Sequence, residues 1–212
     1  MAFLLKLFGI DLEGEKKDKF REFETKWASD PEILKQAKVG WLLSRGQDMV
    51  KKGYPNQAIR DSEEALQIDP ESVPAYKALM SAYVITKRFG DATKTSTQCL
   101  DMIEKSENEE VKMYKMHIYF MQGMIGLEMN DMEVVAQCFL LFLKEENKAV
   151  TNPVWQEMLK ESDLVSEHIL SDDKSNSLEK EHGEYVRIAK ETLTELKSGL
   201  NPEAQELISK FL

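Results

Sequence analysis

Residues Gly46 to Pro70 read G-Q-D-M-V-K-K-G-Y-P-N-Q-A-I-R-D-S-E-E-A-L-Q-I-D-P, and the stretch from Met80 to Glu104 echoes them. That shift pairs Met49 with Tyr83, Ala58 with Ala92, Ser62 with Ser96 and Ala65 with Cys99. A fixed internal period decides the fold ahead of local propensity, because such a unit buries its apolar face only by stacking on a copy of itself. The small residues carry the physical content. Paired helices approach closely only where one side chain is no larger than Ala, and an aromatic or Met from the neighbouring helix fills the remaining space.

The pattern resembles the tetratricopeptide repeat, a helix-turn-helix unit of about 34 residues. The first copy supplies Leu42, Gly46, Met49, Ala58, Ala65 and Pro70, and the second Tyr76, Leu79, Tyr83, Ala92 and Cys99, with Glu104 where a closing Pro is expected. In a third copy Tyr119, Gly123, Met132, Val135 and Phe139 fit, while Phe142 stands where a small residue is expected. A register one residue later, with Ala136 as the small residue, is also open. About nine additional residues around Ser106 to Val111 separate the second and third copies. The expected fold is all-α, a tetratricopeptide-like helix-turn-helix solenoid with N- and C-terminal capping helices. It divides into an apolar segment and capping helix (residues 1–36), about three repeats (37–145) and C-terminal helices (146–212).

The flanks agree with capping, which a stack needs to cover its apolar ends. Phe20, Phe23 and Trp27 recur at helical spacing before Asp30-Pro31, a helix start with Asp as N-cap and Pro at the first helical position. Asn152-Pro153 opens a helix carrying Val154, Trp155, Met158, Val165 and Ile169. A polar stretch near 171–181 reads as a loop. Tyr185, Ile188, Ala189, Leu193 and Leu196 then form an apolar stripe, and a short helix from Asn201-Pro202 presents Ala204, Leu207, Ile208 and Phe211.

Composition narrows function. A net charge of -10 opposes binding to nucleic acid, which draws its affinity from Lys and Arg on phosphates. Cys99 and Cys138 make neither a disulfide framework nor a zinc site; both fall in amphipathic helices, as small buried hydrophobes suited to a reducing compartment. With no signal-peptide pattern and no apolar run of membrane-spanning length, the expected location is cytoplasmic. No phosphate-binding glycine loop or nucleophile elbow is present. One Glu-x-x-His spacing, Glu179 to His182, lacks the further carboxylates of a di-iron site and reads as a solvated pair beside the polar loop. The expectation is a protein without enzymatic activity, cofactor or metal.

Chemistry therefore rests on surfaces. In tetratricopeptide proteins the first helix of each pair lines a groove that holds a peptide or helix of a partner. By that resemblance the groove is lined by Leu43, Gln47, Val50, Lys77, Ser81, Val84, His117, Phe120, Met124 and Leu127. The family's carboxylate clamp would fall on Leu43, Gln47, Ala78, His117 and Met121, none of which matches, so that function is rejected. The largely apolar lining implies an adaptor or chaperone-like module, loosely similar to type III secretion chaperones of the same repeat class, binding an apolar segment of another protein. A self-associating scaffold subunit is the alternative. Six of the eleven methionines lie between Met113 and Met132, which suits either an irregular core or an adaptable groove. A second contact is expected at Phe3, Leu4, Leu7 and Phe8, whose apolar segment caps the fold, occupies the groove or touches a membrane surface.

Overall fold

The computed structural model describes residues 30–157, 178–199 and 202–212, and no strand occurs among them. Nine helices are defined there: α1 (Pro31–Lys51), α2 (Pro55–Ile68), α3 (Val73–Ile85), α4 (Phe89–Lys105), α5 (Glu109–Met113), α6 (Lys115–Met129), α7 (Met132–Ala149), α8 (Leu178–Leu196) and α9 (Pro202–Ser209). A 3-10 turn, Lys197–Gly199, follows α8, and a helical stretch over 153–157 follows α7. The chain forms two compact units, divided between Thr95 and Ser96 within α4.

Local chemistry starts these helices. The Asp30 carboxylate accepts from the Ile33 amide at 3.1 Å, with Pro31 behind it, as expected from the sequence. Ser72, Asn108 and Asp131 cap α3, α5 and α7 in the same way. Asn152 accepts from the Val154 amide at 2.8 Å, so the helix expected at Asn152-Pro153 begins there.

Three helices end alike. After α1 the amide of Tyr54 reaches the Met49 carbonyl and that of Gly53 the Val50 carbonyl. After α3 Arg88 bonds to Tyr83 and Lys87 to Val84; after α6 Asp131 bonds to Gly126 and Asn130 to Leu127. Each is a Schellman closure, which places one residue in the left-handed region: Gly53 at φ 84°, Lys87 at 58° and Asn130 at 56°. Gly53 and Lys87 are separated by the same step as Ala58 and Ala92, and the longer step to Asn130 contains α5, where the additional residues were expected. Lys87 bears the steric cost of a Cβ in that conformation. Lys87→Gly is expected to raise stability by about 0.5–1 kcal/mol, read as a shift of the urea midpoint at constant slope; a destabilised variant would mean that the turn does not carry this strain.

In the first unit α1 and α2 run antiparallel, with α3 against both. Lys35 pairs with Asp69 at 3.1 Å, Lys38 with Glu64 at 3.7 Å and Arg45 with Asp61 at 2.6 Å, as the two helices pass in opposite directions. Gly46 lies beside Ala58: a Cβ built on it would stand 3.3 Å from the Ala58 Cα. Val39, Leu42, Ala65 and Ala75 form the local core. Ala58, Ala92, Ser62, Ser96, Ala65 and Cys99, matched by the repeat shift, are all buried.

The second unit packs α6 against α7 and α8 against α7. Here the size relation is reversed. Gly123 and Gly126 on α6 make the room, and the large Phe139 and Val135 of α7 fill it. Gly123 precedes the Asn130 turn by the same step as Gly46 precedes Gly53, and this register sets Val135 opposite α6. Phe142 is fully buried in the core with Leu143, Trp155, Ala189, Leu193 and Ile208, so a small residue is not needed at that position.

Several expectations are corrected. Both boundaries read at 36/37 and 145/146 fall inside helices, α1 and α7. Of the stretch near 171–181 read as a loop, residues 178–181 belong to α8, and 171–177 lie outside the described residues. His182, read as solvated, is 8% exposed, because α8 starts early enough to turn it into the aromatic core. The segment holding Phe3, Leu4, Leu7 and Phe8, with Phe20, Phe23 and Trp27, lies outside the described residues, as do Met158, Val165 and Ile169.

Candidate functional surface

The ten residues expected to line a groove divide between the two units. On α1, Leu43, Gln47 and Val50 follow at helical spacing; Gln47 is exposed, Leu43 and Val50 are half-buried. On α3, Lys77 and Val84 are half-buried and Ser81 is exposed. These six form two matching stripes on helices that pack side by side. Leu42 and Gly46, one turn of the wheel away, face α2 and the core instead.

A polar network stiffens this part of the first unit. Asp61 on α2 is 1% exposed and takes a bidentate fork from Arg45, at 2.9 Å from Nε and 2.6 Å from Nη2, with a third bond from Gln57 at 2.6 Å. The fork satisfies a buried carboxylate that would otherwise be costly. It also holds the Arg45 guanidinium 4.3 Å over the Trp41 ring on the same helix. The Asp61 hydrogen bond holds the Arg45 charge firmly, raising its pKa further above the ordinary value.

The second unit treats its share of the expected groove differently. Met124 remains exposed, and Leu127 is half-buried against the core. His117 and Phe120 are buried and line no open surface. The Phe120 ring stacks on Tyr185 of α8 at 4.1 Å and on Phe139 at 5.5 Å. His117 meets Tyr185 at 5.5 Å, Trp155 at 5.7 Å and His182 at 5.7 Å. The covering helix arrives from far later in the chain, so nothing in the spacing around His117 marks it. The available signal was the apolar stripe of α8, which extends one turn before Tyr185 to His182.

The methionine cluster is divided between core and surface. Met116 is buried and Met113 and Met132 pack on the core, whereas Met124 and Met129 are exposed. Cys99 and Cys138 are both buried. Burial, with a smaller contribution from the Asp131 charge, pushes the Cys138 thiol up to about 11, which keeps it protonated at neutral pH.

A cavity of about 180 Å³ opens between the start of α6 and the end of α7, lined by Lys112, Lys115, Lys148 and Glu145 over Met113, Met116 and Ala149. Its lysines already hold carboxylates: Lys112 on Glu109 at 2.8 Å, Lys115 on Glu104 at 2.9 Å and Lys148 on Glu145 at 2.8 Å. No group of three metal-ligating side chains converges among the described residues, and no helix there is long and apolar enough to cross a membrane. Set against protein-family models, curated proteins and solved structures, the chain matches none, so the reading of its surface rests on its own residues.

Proposed function

We propose that this chain is a tetratricopeptide-like adaptor that grips an apolar peptide or helix of a partner protein along the α1–α3 face of its first unit. The observation that carries the reading is the pair of matching stripes, Leu43-Gln47-Val50 and Lys77-Ser81-Val84, on two helices packed side by side with α2 against both. The left-handed closure shared by α1, α3 and α6, the first two of them one repeat period apart, supports the repeat. A ridge of apolar and uncharged polar side chains with one cation, Lys77, suits an amphipathic helix or extended segment better than a strongly charged tail. Ionic contacts are a minor part of such binding.

The test is selection of peptides against the full chain, followed by titration with single variants. Val50→Asp and Val84→Asp are each expected to weaken the selected peptides at least ten-fold, about 1.4 kcal/mol, with helical content unchanged. Raising salt from low to moderate concentration should change affinity little, since screening acts on charges and not on apolar burial. Peptides whose binding collapses in salt, or survives both aspartates, would place the contact elsewhere. A self-associating scaffold is the competing reading, favoured by Met129, Val134 and Leu141, which stand exposed on α6 and α7. Sedimentation showing growth of mass with concentration, abolished by Leu141→Glu, would turn the assignment toward it.

A further inference from the structure

The additional residues between the second and third copies build a feature outside the repeat pattern. Asn108 caps α5 by accepting from the amides of Glu110 and Val111 at 2.8 and 3.4 Å, which sets Lys112 and Met113 beside the start of α6. Together with the end of α7 they enclose the cavity of about 180 Å³. Its floor is apolar, with Met116 and Ala149 buried and Met113 half-buried. Its rim is cationic. Lys112 and Lys115 are half-buried and Lys148 is exposed, so the ammonium groups stand on the water side of the methionines.

Each ammonium holds a carboxylate: Lys112 that of Glu109, Lys115 that of Glu104 and Lys148 that of Glu145. All three pairs reach solvent, and two of them join residues three apart on one helix. Such pairs contribute little and are screened by salt, so an incoming carboxylate exchanges readily for the internal one. Glu109 and Glu104 are exposed and return to water on exchange, whereas Glu145 lines the cavity and limits the negative charge that enters it. Size narrows the ligand further. The space is comparable with the roughly 150 Å³ that admits a benzene ring. It falls below the roughly 300–1,000 Å³ of pockets that enclose a whole small molecule. One large apolar side chain fits, with its chain continuing over the lysines.

We propose that this cavity anchors one large apolar side chain of a partner protein, carried on a segment with acidic residues on both sides of it. The enclosed part supplies apolar burial, and the thioethers of Met113 and Met116 adapt to a ring or a branched chain. The three ammonium groups complement the flanking carboxylates, on a chain whose net charge of -10 otherwise repels an acidic segment. Every residue of the site belongs to the second unit, and the proposal does not rest on the α1–α3 reading. That face takes an apolar segment with little help from charge, whereas binding at this cavity weakens as salt rises.

The probe is an end-blocked pentapeptide in which one phenylalanine is flanked on each side by two aspartates, titrated into the full chain labelled at its methionine methyl groups. The Met113 and Met116 methyl signals should shift saturably while those of the exposed Met124 and Met129 stay in place. Lys112→Gln with Lys148→Gln should weaken binding about five-fold or more, and Glu145→Gln should tighten it. Ala149→Leu fills the floor and should abolish the saturable shift; the lysine variant, altered only at the rim, keeps the test decisive should the leucine cost helical content. A parent chain without a saturable shift overturns the proposal. Equal binding of a peptide with glycine in place of the phenylalanine does so too, by reducing the site to a charged surface. Hexanoate that moves the same methyl groups at lower concentration than the peptide also overturns it, in favour of a small-molecule pocket.

Discussion

Phe120→Ala is expected to cost about 3–5 kcal/mol, because it empties a fully enclosed aromatic site. The ring touches Phe139, Phe142 and Tyr185, so α7 and α8 each lose an aromatic contact with α6. From the sequence this residue is expected to line a partner groove, with the fold mostly intact on its removal; its burial points to a larger loss. Urea unfolding followed by tryptophan fluorescence reads the change, with Trp155 buried in the same core. A loss below about 1 kcal/mol, within the range of an exposed or readily collapsed site, would contradict the placement of α8 over α6. Leu127, half-buried at the edge of the same core, should show a smaller loss on truncation.

The second large effect is expected at Gly123. A Cβ there would stand 2.3 Å from Phe139 Cε1 and 2.4 Å from Cδ1, closer than carbon atoms approach. Phe139 is fully buried between Phe120 and the α6 backbone and has nowhere to move. Gly123→Ala is therefore expected to destabilise by about 3 kcal/mol, the upper part of the range for overpacking. The sign is informative, since Ala exceeds Gly by about 1 kcal/mol in helix propensity and would stabilise an open site. Gly183 on α8 supplies the comparison: among the described residues nothing lies within 4 Å of a Cβ built there. Gly183→Ala should raise stability by up to about 1 kcal/mol. Combining Gly123→Ala with Phe139→Leu should recover part of the loss, giving a coupling of about 1 kcal/mol or more in a double-mutant cycle. Additive losses in that cycle would mean that the two residues do not face each other.

The helix starts were legible because their chemistry is local. Asp30-Pro31 and Asn152-Pro153 announce their helices within a single turn of chain. The buried small residues at 58, 92, 65 and 99 were legible because the repeat compares each with a copy of itself. The shared left-handed closure was harder to see. Gly53 and Asn130 are ordinary turn residues, but Lys87 is not, and the hydrogen bonds rather than the side chain hold it there.

The reversal in the third helix pair shows where pattern reading stops. A small residue was sought on the second helix, at Phe142 or Ala136, whereas the space is made on the first helix by Gly123 and Gly126. Packing fixes the sum of facing volumes and leaves open which partner is small. Both arrangements satisfy the same helix spacing, and only the contact distinguishes them.

Residue order alone dictated an all-helical chain, the starts of its helices, the repeat period linking its first two pairs and the burial of its cysteines. These follow from capping, periodicity and self-comparison, each confined to a few turns or to a repeated unit. Long-range packing alone decided which of the expected groove residues stay open. It leaves Gln47 and Ser81 exposed on the first unit and encloses His117 and Phe120 in the second. The reason is physical: a residue on an amphipathic helix is core or surface according to what lands on it, and α8 lands on α6 from far along the chain.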